Sequence, residues 1–222
     1  MRVKKAEIDM VVKKNLRNKE RKEIKVLVIN GATREDGNTD VAIENFNDGL
    51  KRGGCVIHTV CLRETRIANC IGCGKCAKES KCSHSDDMTK IRKMIVKSDV
   101  LVFASPLYFC EVTGLMKTFL DRLYFFYQPE NKHFVSGKKA LVLTTMGEKE
   151  VGIETEVLEE FYKRFFHALG ISLVDMVFFT DLMEKGEIRL RTDYLEKAYY
   201  AGRSLPIRLK KRERIERIHS FS

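Results

Sequence analysis

A chain of 222 residues with 44% apolar content can bury one sizeable core, but two full domains would be cramped. Its net charge of +10 belongs to its ends: residues 1–25 hold ten Lys/Arg against four acids and residues 203–222 seven against two, leaving 24 against 25 between them. Such runs read first as solvated helix faces or tails and only secondarily as a nucleic-acid contact, while no apolar run approaches the roughly 20 residues of a membrane span and no signal-peptide core follows the basic N-terminus.

In chain order, IKVLVIN (24–30), CVIHTVCL (55–62), VLVFAS (100–105), KALVLTT (139–145) and ISLVDMVFF (171–179) are short apolar, β-branched runs that predict buried strands. Helical spacing alternates with them: Ala42, Phe46 and Leu50; Met88, Ile91 and Ile95; Leu115, Phe119 and Leu123; then Val157, Phe161, Phe165 and Leu169. Five strands alternating with helices predict an α/β fold, a doubly wound five-stranded parallel sheet with helices on both faces. The flavodoxin-like order 2-1-3-4-5 is the natural expectation. A further helical pattern around Tyr194, Ala198 and Ala201 follows, then a basic tail beyond Pro206. The expected organisation is a basic extension (1–23), an α/β domain (24–180) with a cysteine loop (69–87), and a C-terminal helical extension with the basic tail (181–222).

Ligands of such sheets sit beyond the carboxyl ends of the strands. After the first strand, NGATREDGNTDVA offers Gly31 and Gly37 for close backbone approach, short polar groups at Thr33, Asn38 and Thr39, and the fixed charge of Arg34 ahead of a helix N-terminus. That set suits a phosphate monoester, although an ordinary strand-to-helix turn would read similarly. It is neither a Walker loop nor GxGxxG. After the third strand, Pro106, Leu107, Tyr108 and Phe109 put apolar and flat groups where a planar ring system could lie, or where they could simply cover the sheet end.

The stretch NCIGCGKCAKESKC holds Cys70, Cys73, Cys76 and Cys82, four of the seven cysteines. A cytoplasmic protein is expected, where clustered cysteines point to metal binding or redox chemistry, and the odd count also argues against a disulfide framework. Cys55 and Cys61 fall in a strand and read as inert core residues. The five histidines are scattered singly.

GATREDGNT resembles the GSxRxxGNT loop, and SPLYFCEVTGLMKTFLDR the SPVYFGxxxGxLKxFxDR segment, of the NADPH-dependent FMN reductase family. The order of phosphate loop, CxxCxxCx5C and a DDM before a helix (Asp86, Asp87, Met88) resembles its iron-sulfur flavoprotein branch. The resemblance implies an oxidoreductase whose FMN phosphate is held by Thr33, Arg34, Gly37, Asn38 and Thr39, with Ala32 where the family usually has Ser. Pro106 through Phe109 would pack along the isoalloxazine with Cys110 in a position usually held by Gly, and Thr145, Met146 and Gly147 would meet the pyrimidine edge.

The four loop cysteines would hold a 4Fe-4S cluster, since thiolates at x2 spacing can wrap three corners of a cubane and Cys82 can close the fourth. Zinc, or a metal-free redox pair of Cys73 and Cys76, are the alternatives. Electrons would come from a partner such as ferredoxin or NAD(P)H. A cluster-free NAD(P)H-dependent reductase of flavin, quinone or nitro compounds is the alternative function, and a nucleic-acid-binding module is less favoured. The aromatic run Leu123 to Tyr127, with the assembly habits of the family, predicts a homo-oligomer, a dimer or tetramer.

Overall fold

The computed structural model describes residues 23–219, with side chains as far as Leu209. The basic 1–23 extension, Glu23 excepted, and the basic side chains beyond Leu209 lie outside the described residues, as does the nucleic-acid reading built on them. Five strands, β1 (Ile24–Asn30), β2 (Cys55–Cys61), β3 (Val100–Pro106), β4 (Lys139–Thr145) and β5 (Ser172–Phe179), alternate with α1 (Asn38–Arg52), α2 (Lys75–Glu79), α3 (Met88–Lys97), α4 (Gly114–Arg122), α5 (Tyr124–Tyr127), α6 (Pro129–Lys132), α7 (Ile153–Leu169) and α8 (Thr192–His219). All strands pair in parallel in the order β2-β1-β3-β4-β5. This is the expected flavodoxin-like sheet.

Parallel pairing demands crossovers, and these cover both faces with helices. Side chains divide accordingly. Val26 and Val28 of β1, with Val100, Val102 and Ala104 of β3, pack toward α1 and α8; Leu27, Ile29, Leu101 and Phe103 pack toward α3, α4 and α7. With both faces covered, the central strands are apolar along their middles, with polar residues such as Asn30, Ser105, Thr144 and Thr145 at their carboxyl ends. Among the described residues, no helix is long and apolar enough to cross a membrane.

Two details depart from expectation. The buried row of α7 is Leu158, Tyr162, Phe166 and Leu169, whereas Val157 is half-exposed and Phe161 and Phe165 are only partly buried. Helix α7 carries two adjacent aromatic rows, and the sheet takes the one whose rings meet Phe103, at 6.2 Å for Tyr162 and 5.2 Å for Phe166. Periodicity alone cannot choose between neighbouring rows.

The second departure is at the C-terminus, where α8 runs through Pro206 to His219 instead of breaking into a tail. It lies so close on α1 that a Cβ at Gly49 would stand 2.0 Å from the Tyr199 carbonyl, and one at Gly202 would stand 2.1 Å from that of Phe46. Backbone contact of this kind needs glycine on both helices. Through Ile188, Ala198, Leu205 and Leu209, the segment after residue 180 completes the layer around α1.

Candidate flavin and cysteine sites

At the carboxyl end of β1 the chain is bonded down before it becomes a loop. Asn30 accepts the Ala32 N–H (2.9 Å) and donates to Asp40 (2.5 Å), which also takes Arg63 (3.1 Å). The Gly31 N–H donates to the Ala104 carbonyl (2.7 Å), and the Gly31 carbonyl accepts the Thr113 hydroxyl (2.7 Å). A Cβ at Gly31 would stand 2.8 Å from that of Met116. Beyond this anchor Thr33 and Arg34 are exposed, and α1 starts at Gly37 with no side-chain cap. The first-turn N–H groups and the positive end of the helix dipole therefore face the loop, with Arg34 beside them.

The loop after β3 forms the opposite wall. Leu107 donates to the Thr145 carbonyl (2.9 Å), and Tyr108 and Glu111 exchange backbone bonds of 2.8 and 3.1 Å around a two-residue turn. Both turn residues, Phe109 (φ 49°) and Cys110 (φ 64°), sit in the left-handed region, where Asn and Gly usually stand. The Tyr108 hydroxyl reaches 3.3 Å from that of Thr33, bridging the walls. Phe109 projects fully into solvent at the tip.

Thr33, Arg34, Gly37, Asn38, Thr39, Pro106, Leu107, Tyr108, Thr145, Met146 and Gly147 line one cleft; Phe109 and Cys110 do not. Their turn holds them above it. Within the cleft, Thr39 and Thr145 bond to each other (2.7 Å), and the Asn38 side chain holds a strap: its amide donates to the Glu184 carbonyl (2.8 Å) and its oxygen accepts the Ile188 N–H (3.1 Å). That strap and the loop after β4 add Glu148, Leu182, Met183 and Lys185 to the lining, residues the sequence reading passed over. The rule that ligands lie beyond strand carboxyl ends points to the loop after β5 as well, but a single lysine there carries no motif.

The cleft fits FMN. An uncapped helix start with Arg34 and Lys185 suits a phosphate, and the Gly37 cradle is tight enough that a Cβ would stand 3.2 Å from the Arg34 carbonyl. Leu107 and Tyr108 supply a wall for a flat ring.

The cysteine loop lies at the other end of α4. Its base is a buried clamp: Arg122, with a side chain 1% exposed, donates to both oxygens of Asp86 (2.6 and 3.1 Å), to the Ala68 carbonyl (2.6 Å) and to the Cys82 sulfur (3.4 Å). Asp86 also accepts the Ala68 and Met88 N–H groups (3.1 and 3.2 Å), and Asp87 that of Arg66 (2.9 Å). Burial opposes ionisation of Asp86, but the Arg122 fork and these N–H groups outweigh it and hold the carboxyl below its usual range. At Cys82 burial is likewise outweighed, by the His84 N–H and then Arg122, so the thiol is held below its usual range.

Burial raises Cys76, and nearby Cys82 and Cys70 add to the rise; Cys73 is exposed and lowered first by a bond to Ser83 (3.2 Å). Among the described residues, no three His, Cys, Asp or Glu side chains stand close enough together to hold a metal. As a donor set, four thiols on one clamped loop have the chemistry a thiolate-bound cluster needs, with Cys73 required to turn from Ser83. Burial pushes the Cys61 thiol up to about 11 and raises Cys55 too, in keeping with inert packing.

Sheet order defines a flavodoxin-like protein, with the cleft at the carboxyl edge of its sheet. Residues 24–172 match the NADPH-dependent FMN reductase family, and the chain belongs to that family. An iron-sulfur flavoprotein of Archaeoglobus fulgidus is 33% identical over 100 residues, 45% of this chain and 46% of that one, so the match spans less than half the relative's length. An iron-sulfur flavoprotein of Methanocaldococcus jannaschii is 31% identical over 134 residues, 59% of this chain and 68% of that one. In fold, the chain is similar to a solved NAD(P)H:quinone oxidoreductase from Methanothermobacter marburgensis, with a TM-score of 0.62 at 20% identity over 83% of this chain and 96% of that one.

Proposed function

We propose that the protein is an FMN-dependent redox protein that couples flavin to a 4Fe-4S cluster held by Cys70, Cys73, Cys76 and Cys82. The observation carrying the flavin half is the convergence of an uncapped α1 N-terminus, Arg34 and an apolar wall from Leu107 and Tyr108 on one cleft. When bound, FMN supplies one- or two-electron chemistry and the cluster one-electron transfer, which together can join carriers of different electron number. Arg34, Lys185 and the α1 N–H groups hold the phosphate; Thr33 and Tyr108 close the mouth. Ferredoxin or NAD(P)H is the electron partner. Because Arg34 is the loop's fixed positive charge, Arg34→Ala should weaken FMN binding by about 2 kcal/mol; a fluorescence titration returning the wild-type affinity would remove this assignment.

A second reading, the cluster-free NAD(P)H-dependent reductase of flavins, quinones or nitro compounds, draws on Cys73, which is bonded to Ser83, and on the lack of any three metal-ligating side chains grouped together among the described residues. Steady turnover of iron-free protein with NADPH as sole donor would favour it. A homo-oligomer belongs to either reading: Tyr124 and Tyr127, stacked at 5.7 Å and half-exposed, border an apolar groove with Leu120, Phe165 and Leu169. Light scattering at micromolar concentration is expected to give a multiple of the 25.7 kDa chain mass; a single-chain mass would end that expectation.

A further inference from the structure

We propose that Arg122 is the positioning residue of the cysteine loop: its guanidinium joins the two ends of that loop to helix α4, fixing the base from which the four thiols close on a cluster at the end of α4 away from the flavin cleft. The proposal rests on the cluster reading and adds to it a residue that no cysteine pattern contains.

The geometry is specific. One planar group binds the Ala68 carbonyl where the loop begins, and the Cys82 sulfur and Asp86 carboxylate where it ends. Between these ends the loop is largely exposed, Cys70 and Cys73 included. Thr118, on the same helix, reaches Asn69 (3.0 Å). The other end of α4 is fixed to the flavin side, since its cap Thr113 accepts the Met116 N–H (3.2 Å) and donates to the Gly31 carbonyl (2.7 Å). Nine helical residues span about 13 Å at 1.5 Å each. Helix α4 is therefore a strut with the phosphate loop at one end and the cysteine loop at the other.

Arginine is needed because a planar fork can serve a carboxylate, a carbonyl and a sulfur at once, whereas lysine is a point charge. The same guanidinium places positive charge and an N–H against a candidate ligand sulfur, the kind of outer contact that sets cluster retention and potential.

The test uses anaerobically reconstituted full-length protein with Arg122→Lys and Asp86→Asn, the second kept in case the first folds poorly. Both variants should keep FMN. Hydrogen exchange across residues 66–88 should speed up in metal-free variants, iron and sulfide per chain should fall by half or more, and any retained cluster should have a shifted midpoint potential. Wild-type protein that takes up no iron would overturn the cluster reading and this proposal with it. Wild-type protein that loads iron beside folded variants matching it in loading, potential and exchange would overturn the proposal alone.

Discussion

The flavin cleft and the cysteine loop lie at opposite ends of α4 and are built by different means. The cleft is framed by backbone bonds, Gly31 to Ala104, Leu107 to Thr145, Met146 to Phe179 and Leu182 to Met146, with the side chains of Thr113 and Asn38 tying its loops to that frame. The cysteine loop has one single-turn helix, α2, with no buried residue, and is held at its ends by side chains of Arg122, Asp86 and Asp87. A cleft made by strand ends exists before its ligand arrives. A loop held only at its base leaves its thiols free to be arranged by what they bind.

The sharpest break of this comparison is Cys82→Ala. It should abolish or degrade the cluster, read as iron, sulfide and the low-temperature EPR signal after dithionite, while FMN affinity stays at the wild-type value because no cleft residue comes from the loop. Parallel loss of FMN would show the two sites to be one.

Smaller, and of opposite sign, is Cys110→Gly. With φ at 64° the residue stands where a side chain costs roughly 1–2 kcal/mol, so glycine should raise thermal stability by about that much. A melting temperature that falls would mean the Tyr108–Glu111 turn is shaped by packing and not by backbone preference.

The smallest expected effect is Lys185→Gln. The strap places this exposed cation on the cleft lining, so the change should weaken FMN by about 1 kcal/mol and leave riboflavin, which lacks the phosphate, unaffected. Equal losses for both ligands would mean that Lys185 shapes the strap instead of meeting the phosphate.

Legibility followed the same division. Strand existence could be read from 24–30, 100–105 and 139–145 because a strand buried on both faces is apolar at consecutive positions along its middle, and strand order from the alternation with helices. That the loop after β1 lines a cleft could be read because the carboxyl ends of the strands next to a switch in strand order leave a crevice there. That Phe109 stands outside the cleft was not legible, because two consecutive positive φ angles turn it out to solvent. Arg122 stood in a quoted motif with no role assigned, since its partners Ala68, Cys82 and Asp86 are 54, 40 and 36 residues away.

By itself, the sequence determined the alternation of strand and helix, the sheet order and which side-chain types stand in the two loops, because these depend on local polarity, spacing and side-chain type. Which aromatic row of α7 faces the sheet, how Gly49 and Gly202 let α8 close on α1, where Asn38 and Lys185 stand, and how one guanidinium gathers both ends of the cysteine loop were decided by tertiary structure. Each depends on groups far apart in the chain meeting at one point, where distance and burial, not residue type, set the interaction.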